Sequence, residues 1–136
     1  MFTVMRRLIP PVLVAACLVS TVPGSAHHSF TAEFDVNSPI SFTGTVTRVE
    51  WTNPHAWFHI DVQDESGNVE NWSMELLGVN RLLREGWTRD KIKPGDVLYV
   101  EGYRARNGKP VGNCSVVIIV ASGEQIWGTP VDKDYE

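Results

Sequence analysis

Residues 51–63 read Trp51-Thr52-Asn53-Pro54-His55-Ala56-Trp57-Phe58-His59-Ile60-Asp61-Val62-Gln63. Pro54 has no donor for a strand ladder and restricts the residue before it, so Thr52-Asn53-Pro54 breaks the chain. Beyond it Ala56, Phe58, Ile60 and Val62 face one way, and His55, Trp57, His59 and Asp61 the other. This is the period of a half-buried strand. Upstream, Ile40–Trp51 places Phe42 and Val46 in one phase but Val49 and Trp51 in the opposite one. A change of phase within one strand predicts a bulge or strong bend, with Gly44 a natural place for curvature.

Downstream, Glu65-Ser66-Gly67-Asn68 predicts a hairpin turn into Val69–Leu76, with Trp72, Met74 and Leu76 toward the core. Val79–Glu85 has Val79, Leu82 and Leu83 at helical spacing and Gly86 as its stop. Lys93-Pro94-Gly95-Asp96 turns the chain into Val97–Tyr103, and Asn107-Gly108-Lys109-Pro110 leads to a last strand at Cys114–Ser122. Three strands, a helix and two more strands predict an all-β fold, a small five-stranded barrel of the OB type with one short helix between strands 3 and 4. A sandwich of the immunoglobulin kind calls for about seven strands and no such helix.

Around this barrel (residues 40–122) lie a leader at 1–26, a lead-in at 27–39 and a tail at 123–136. The leader has Arg6 and Arg7, the apolar run Leu8–Val22, and Pro23-Gly24-Ser25-Ala26, the parts of a secretion signal. The expected location is therefore the periplasm. Val14-Ala15-Ala16-Cys17 offers a rival route, lipidation at Cys17. Cleavage after Ala26 leaves ten basic against sixteen acidic side chains, a net charge of −6. With no basic run after Arg7, nucleic-acid binding is not expected. No further apolar stretch approaches the roughly 20 residues of a membrane span. Cys114 is then the single cysteine of the mature chain, which excludes an intramolecular disulfide and fits a buried small hydrophobe.

Cleavage after Ala26 also makes His27 the N-terminus, joining an α-amine and an imidazole on one residue, a chelating pair. The mature chain holds four histidines: His27, His28, His55 and His59. In a strand rising about 3.3 Å per residue, His55 and His59 stand roughly 13 Å apart, too far for one metal with bonds of about 2 Å. His55, at a strand entrance, is the better partner for His27, with His28 assisting; Glu33, Asp35 or Glu75 can add oxygen. Amine and imidazole nitrogens favour Cu(II) by the Irving–Williams order, with zinc and nickel behind it. Without a metal, HHSF at 27–30 is a polar lead-in.

The five tryptophans offer a different reading. Trp57 points outward on the histidine face, beside His59, and Trp51 lies close to the same turn, so both can stack on a ligand or partner. Trp72 and Trp87 are assigned to packing. No nucleophile elbow, HExxH, Walker loop or dinucleotide fingerprint occurs. Ser73, Ser115 and Cys114 show no activating base, and catalysis is not the expected function. An oxidase or oxygenase using copper at the N-terminal histidine is its remaining form.

His27-His28-Ser29-Phe30 with Phe34-Asp35, then Gly44-Thr45-Val46, Trp51-Thr52-Asn53-Pro54-His55, Gly86-Trp87 and Gly95-Asp96-Val97, resembles an uncharacterised family of small exported Gram-negative proteins, a domain of unknown function. The resemblance runs from about His27 to Val120. It implies export and a small β-barrel, and brings no activity, ligand or catalytic residue. Its histidine-bearing motifs match at His27, His28 and His55. The expectation is an exported binding protein with a histidine metal site, copper favoured, for capture or delivery. The alternative is a module that binds a non-metal ligand or an envelope protein through exposed aromatics.

Overall fold

The structure, a computed structural model, describes residues 30–128. A one-turn helix α1 (Phe30–Glu33) leads into β1 (Phe34–Glu50), β2 (Trp57–Gln63) and β3 (Val69–Glu75). A short helix α2 (Val79–Arg84) then precedes β4 (Val97–Ala105), β5 (Val111–Ile119) and β6 (Glu124–Trp127). The strands form one sheet in the order β3-β2-β1-β4-β5-β6, with β3 also pairing with β5. The β3–β5 contact, Ser73 to Val111 through Glu75 to Asn113, is parallel, and every other pairing is antiparallel. It closes five strands into the expected OB-type barrel, with helix α2 between the third and fourth.

Strand β1 serves both halves of the ring. Its second half pairs with β2 and its first with β4, and Thr45 faces partners on both sides. Such sharing requires a bend. The β1–β2 register shifts between Val46 and Arg48, so the bulge predicted from the change of phase sits just beyond Gly44. Gly44 has a separate role: a Cβ there would overlap the Asp61 carbonyl, so its lack of a side chain lets the two strands approach.

Burial follows the alternation. Ala56, Phe58, Ile60, Met74, Leu98, Val100 and Val117 are wholly enclosed, with Val46, Trp72 and Leu76 beside them. Leu82 of α2 joins this core while Leu83 is exposed. Gly86, at φ +85°, ends the helix turn, and Trp87 beyond it meets Trp127 edge to face at 6.0 Å. Cys114 is buried, as expected, and burial raises its thiol pKa well above the ordinary value, with the charge of Glu75 adding to it.

Three boundaries differ from the sequence reading. Residues 34–39, read as lead-in, already belong to β1, with Phe34 buried. Strand β5 begins at Val111, three residues before Cys114. Residues 124–127, read as tail, form a sixth strand on β5 that buries Ile126. Each of these segments is ordered by a neighbouring strand, and a short run with one buried side chain carries little periodic signal. Among the described residues no helix is long and apolar enough to cross a membrane. The expected signal at 1–26 and the residues 129–136 lie outside the described residues.

Candidate functional site

With Phe58, Ile60, Trp72 and Met74 turned inward, the odd-numbered residues of β2 and β3 point out of the barrel. Pairing aligns them into rows. Arg48, His59 and Ser73 make one row, and Glu50, Trp57, Glu75 and Asn113 make the next across four strands. The β1–β2 connection folds over the end of this second row. It is tied to the end of β3 by Ala56 N–H to the Leu77 carbonyl (3.0 Å) and Leu76 N–H to the Ala56 carbonyl (2.8 Å). The Asn53-Pro54 peptide is cis, and the Thr52 hydroxyl donates to the His55 carbonyl at 2.9 Å. A cleft of about 670 Å³ results. Glu50, Trp57, Glu75 and Asn113 floor it, Thr52 to His55 and Leu77 wall one side, and Phe30, Glu33 and Phe34 wall the other.

Gly78 sets how closely this loop sits. A Cβ at Gly78 would overlap the Pro54 carbonyl and crowd the Asn53 side chain. Gly78→Ala is expected to destabilise the fold by about 1–3 kcal/mol through overpacking and to shift Trp57 emission, in a urea titration followed by fluorescence. Unchanged stability and emission would show that the loop is not held against α2.

At the bottom of the cleft His55 Nδ1 pairs with Glu75 Oε1, and Asn113 Nδ2 donates to Glu75 Oε2 at 3.3 Å. Glu75 is only 6 % exposed, whereas the His55 side chain is 45 % exposed. Burial pushes the Glu75 carboxyl above its ordinary range. His55 and Asn113 pull it back, and the charge of Glu33 pushes it further up. In the neutral imidazole tautomer that donates Nδ1–H to the Glu75 carboxylate, Nε2 holds the lone pair. Metal-binding imidazoles are commonly oriented in this way.

The structure brings some of the expected residues together and separates others. His55 and Trp57 line the cleft, whereas Trp51 packs against the core and lies outside the lining. His59 stands one row away with both ring nitrogens engaged. Nδ1 meets the Ser73 hydroxyl at 2.9 Å, and Nε2 lies 2.9 Å from Glu50 Oε1 and 3.0 Å from Arg48 Nη2. Ser73 therefore does have a base beside it, contrary to the sequence reading. The Ser73 N–H is donated to the Pro110 carbonyl at 3.0 Å and so does not serve as an oxyanion donor beside the Ser73–His59–Glu50 chain.

His27 and His28 lie outside the described residues; Phe30, the first described residue, lines the cleft. Among the described residues no three His, Cys, Asp or Glu side chains are grouped to hold a metal ion. A metal on His55 thus needs donors from beyond such a described cluster.

Asn113 escaped the sequence reading because only the parallel β3–β5 pairing brings it to Glu75. The sequence offers Glu75 as an extra oxygen donor, and nothing in its spacing marks it as the partner of His55. Its signal was an acid standing inside the apolar run Met74-Glu75-Leu76-Leu77.

Fold and site together define a small OB-type barrel with a histidine–glutamate cleft between its β1–β2 loop and its N-terminal helix. The chain belongs to a family of unknown function, DUF6152, whose model matches residues 15–114. No curated protein matches the chain.

Proposed function

We propose that this is an exported, periplasmic metal-binding protein that captures or delivers copper through His55 and the amine and imidazole of a processed His27, with help from His28. The observation carrying this reading is the His55–Glu75 pair. A buried carboxylate holds Nδ1 of a partly exposed imidazole, and that imidazole lines a cleft shared with Phe30, the first described residue. An α-amine titrating near 7.7–8.0 in model compounds releases its proton to a metal at little cost near neutrality. Nitrogen donors favour copper, then zinc and nickel.

Native mass spectrometry of protein exported to and purified from a bacterial periplasm, titrated with Cu(II) and Zn(II), tests this. A mass starting at His27 with one retained copper is expected, and a His27→Ala, His55→Ala double variant should lose it. Equal copper retention by the double variant, or a mass starting at a lipidated Cys17, would sink the proposed site.

A second reading draws on the size of the cleft. Its volume falls within the roughly 300–1,000 Å³ of small-molecule sites and far exceeds what an ion fills. It supports binding of a non-metal ligand or an envelope protein beside Trp57.

A further inference from the structure

The cleft has a chemical character beyond its histidine. Phe30 and Phe34 form an aromatic panel, their rings 5.4 Å apart and tilted by 32°, and the edge of Tyr103 backs Phe30 at 5.9 Å. Trp57 adds a half-buried indole from the floor. The charge around these rings is one-sided. Glu33, Glu50 and Glu75 line the cleft against the single imidazole of His55, and among the described residues no Lys or Arg lines it. Arg48 and His59 do bind Glu50, at 2.7 and 2.9 Å, but from the neighbouring row outside the lining. Aromatic faces beside carboxylates attract a cation twice, through the ring quadrupole and through charge, and both gain as water is excluded. Apolar walls in turn favour a ligand with a flat hydrocarbon body.

We propose that this cleft binds a small organic cation with an aromatic or apolar body, an aralkyl amine or quaternary ammonium, stacked on Trp57 and facing the carboxylates. The proposal goes beyond the metal reading and stands without it, because it uses neither His27 nor the His55 lone pair.

Calorimetric titration of the full processed protein in EDTA tests it with 2-phenylethylamine and benzyltrimethylammonium, against neutral 2-phenylethanol and anionic 3-phenylpropanoate. Both cations should bind, the alcohol at least about tenfold more weakly, and the acid not at all. Added salt should weaken the cations and leave the alcohol unchanged. Trp57→Ala should lower cation affinity about tenfold, and Trp57→Phe should restore most of it, with thermal melts showing both variants folded. The proposal is overturned if neither cation gives heat, if the alcohol binds as tightly as the amine, or if Trp57→Ala binds like the parent. Because chelator keeps metal out of this titration, amine binding here with no copper retained in the separate, chelator-free mass spectrum would sink the metal reading alone, and the reverse result this one alone.

Discussion

Phe58→Ala is expected to remove about 3–5 kcal/mol of stability, the largest single effect anticipated in this fold. Phe58 is fully enclosed near the start of β2, between strands β1 and β3, where its partners are Val49 and Met74. Deleting its ring strips away apolar burial and leaves a cavity between strands whose backbones are locked by ladders on both sides and cannot collapse to fill it. A domain of this size carries about 5–15 kcal/mol in all, so the variant should sit close to its unfolding threshold at room temperature. Urea titration by circular dichroism is the check, with Val69→Ala, an exposed site on β3, as a control expected within about 0.5 kcal/mol of the parent. A Phe58→Ala unfolding free energy within about 1 kcal/mol of the parent would mean that the inward face of β2 is not the centre of the core.

That face was legible in the chain because one strand, covered on one side only, writes its environment as a period of two. The same physics exposed Trp72 and Met74 on β3 and Leu76 just beyond it, all buried, and the switch of phase near Gly44 that became the bulge between Val46 and Arg48. Order along the chain then sufficed for the barrel, since a helix between the third and fourth strands leaves few ways to close five short strands. Contacts between distant segments left no such trace. Strand β6 has four residues and one buried side chain, and exists because β5 offers it an edge. Residues 34–39 lack alternation and are held by β4, across a register shift between Phe34 and Pro39.

The site divides along the same line. His55 could be singled out from Asn53-Pro54-His55, because a chain break ahead of a strand places a side chain at a rim. Trp57 could be placed facing outward by phase. The partner that orients His55 could not be identified, since Glu75 is 20 positions further on and Asn113 another 38, and only the β2–β3 and β3–β5 pairings assemble them. His59 shows the converse. It shares the outward phase of Trp57, yet cross-strand neighbours at Arg48 and Ser73 capture both its ring nitrogens. Two histidines four residues apart thus have different surroundings, one partly exposed and held at Nδ1, the other tied on both sides.

Glu75→Gln is expected to separate stability from copper binding. The Glu75 carboxyl is pushed above its ordinary range first by burial, and the charge of Glu33 adds to this against the pull of His55 and Asn113. An acid whose pKa is higher folded than unfolded binds its proton more tightly in the folded state. Its contribution to stability is therefore full below the unfolded carboxylate range and lost as pH rises through the folded value. At neutral pH the parent carries a buried charge that glutamine does not, so the metal-free variant should melt at or above the parent. That advantage should fade on acidification, once Glu75 itself is protonated. Copper binding should move the other way. A glutamine oxygen holds the His55 Nδ1 proton less firmly than a carboxylate does, and loss of such an orienting partner weakens metal affinity about 10- to 100-fold. His55→Ala, which removes the donor atom itself, should lose more than that. Thermal melts in EDTA from acid to neutral pH, paired with competitive Cu(II) titration at neutral pH, read both effects. A variant that melts below the parent at neutral pH would show that the ion pair outweighs the burial cost of Glu75. Unchanged copper affinity would show that Glu75 does not orient a metal-binding His55, and so would remove the observation on which the metal reading rests.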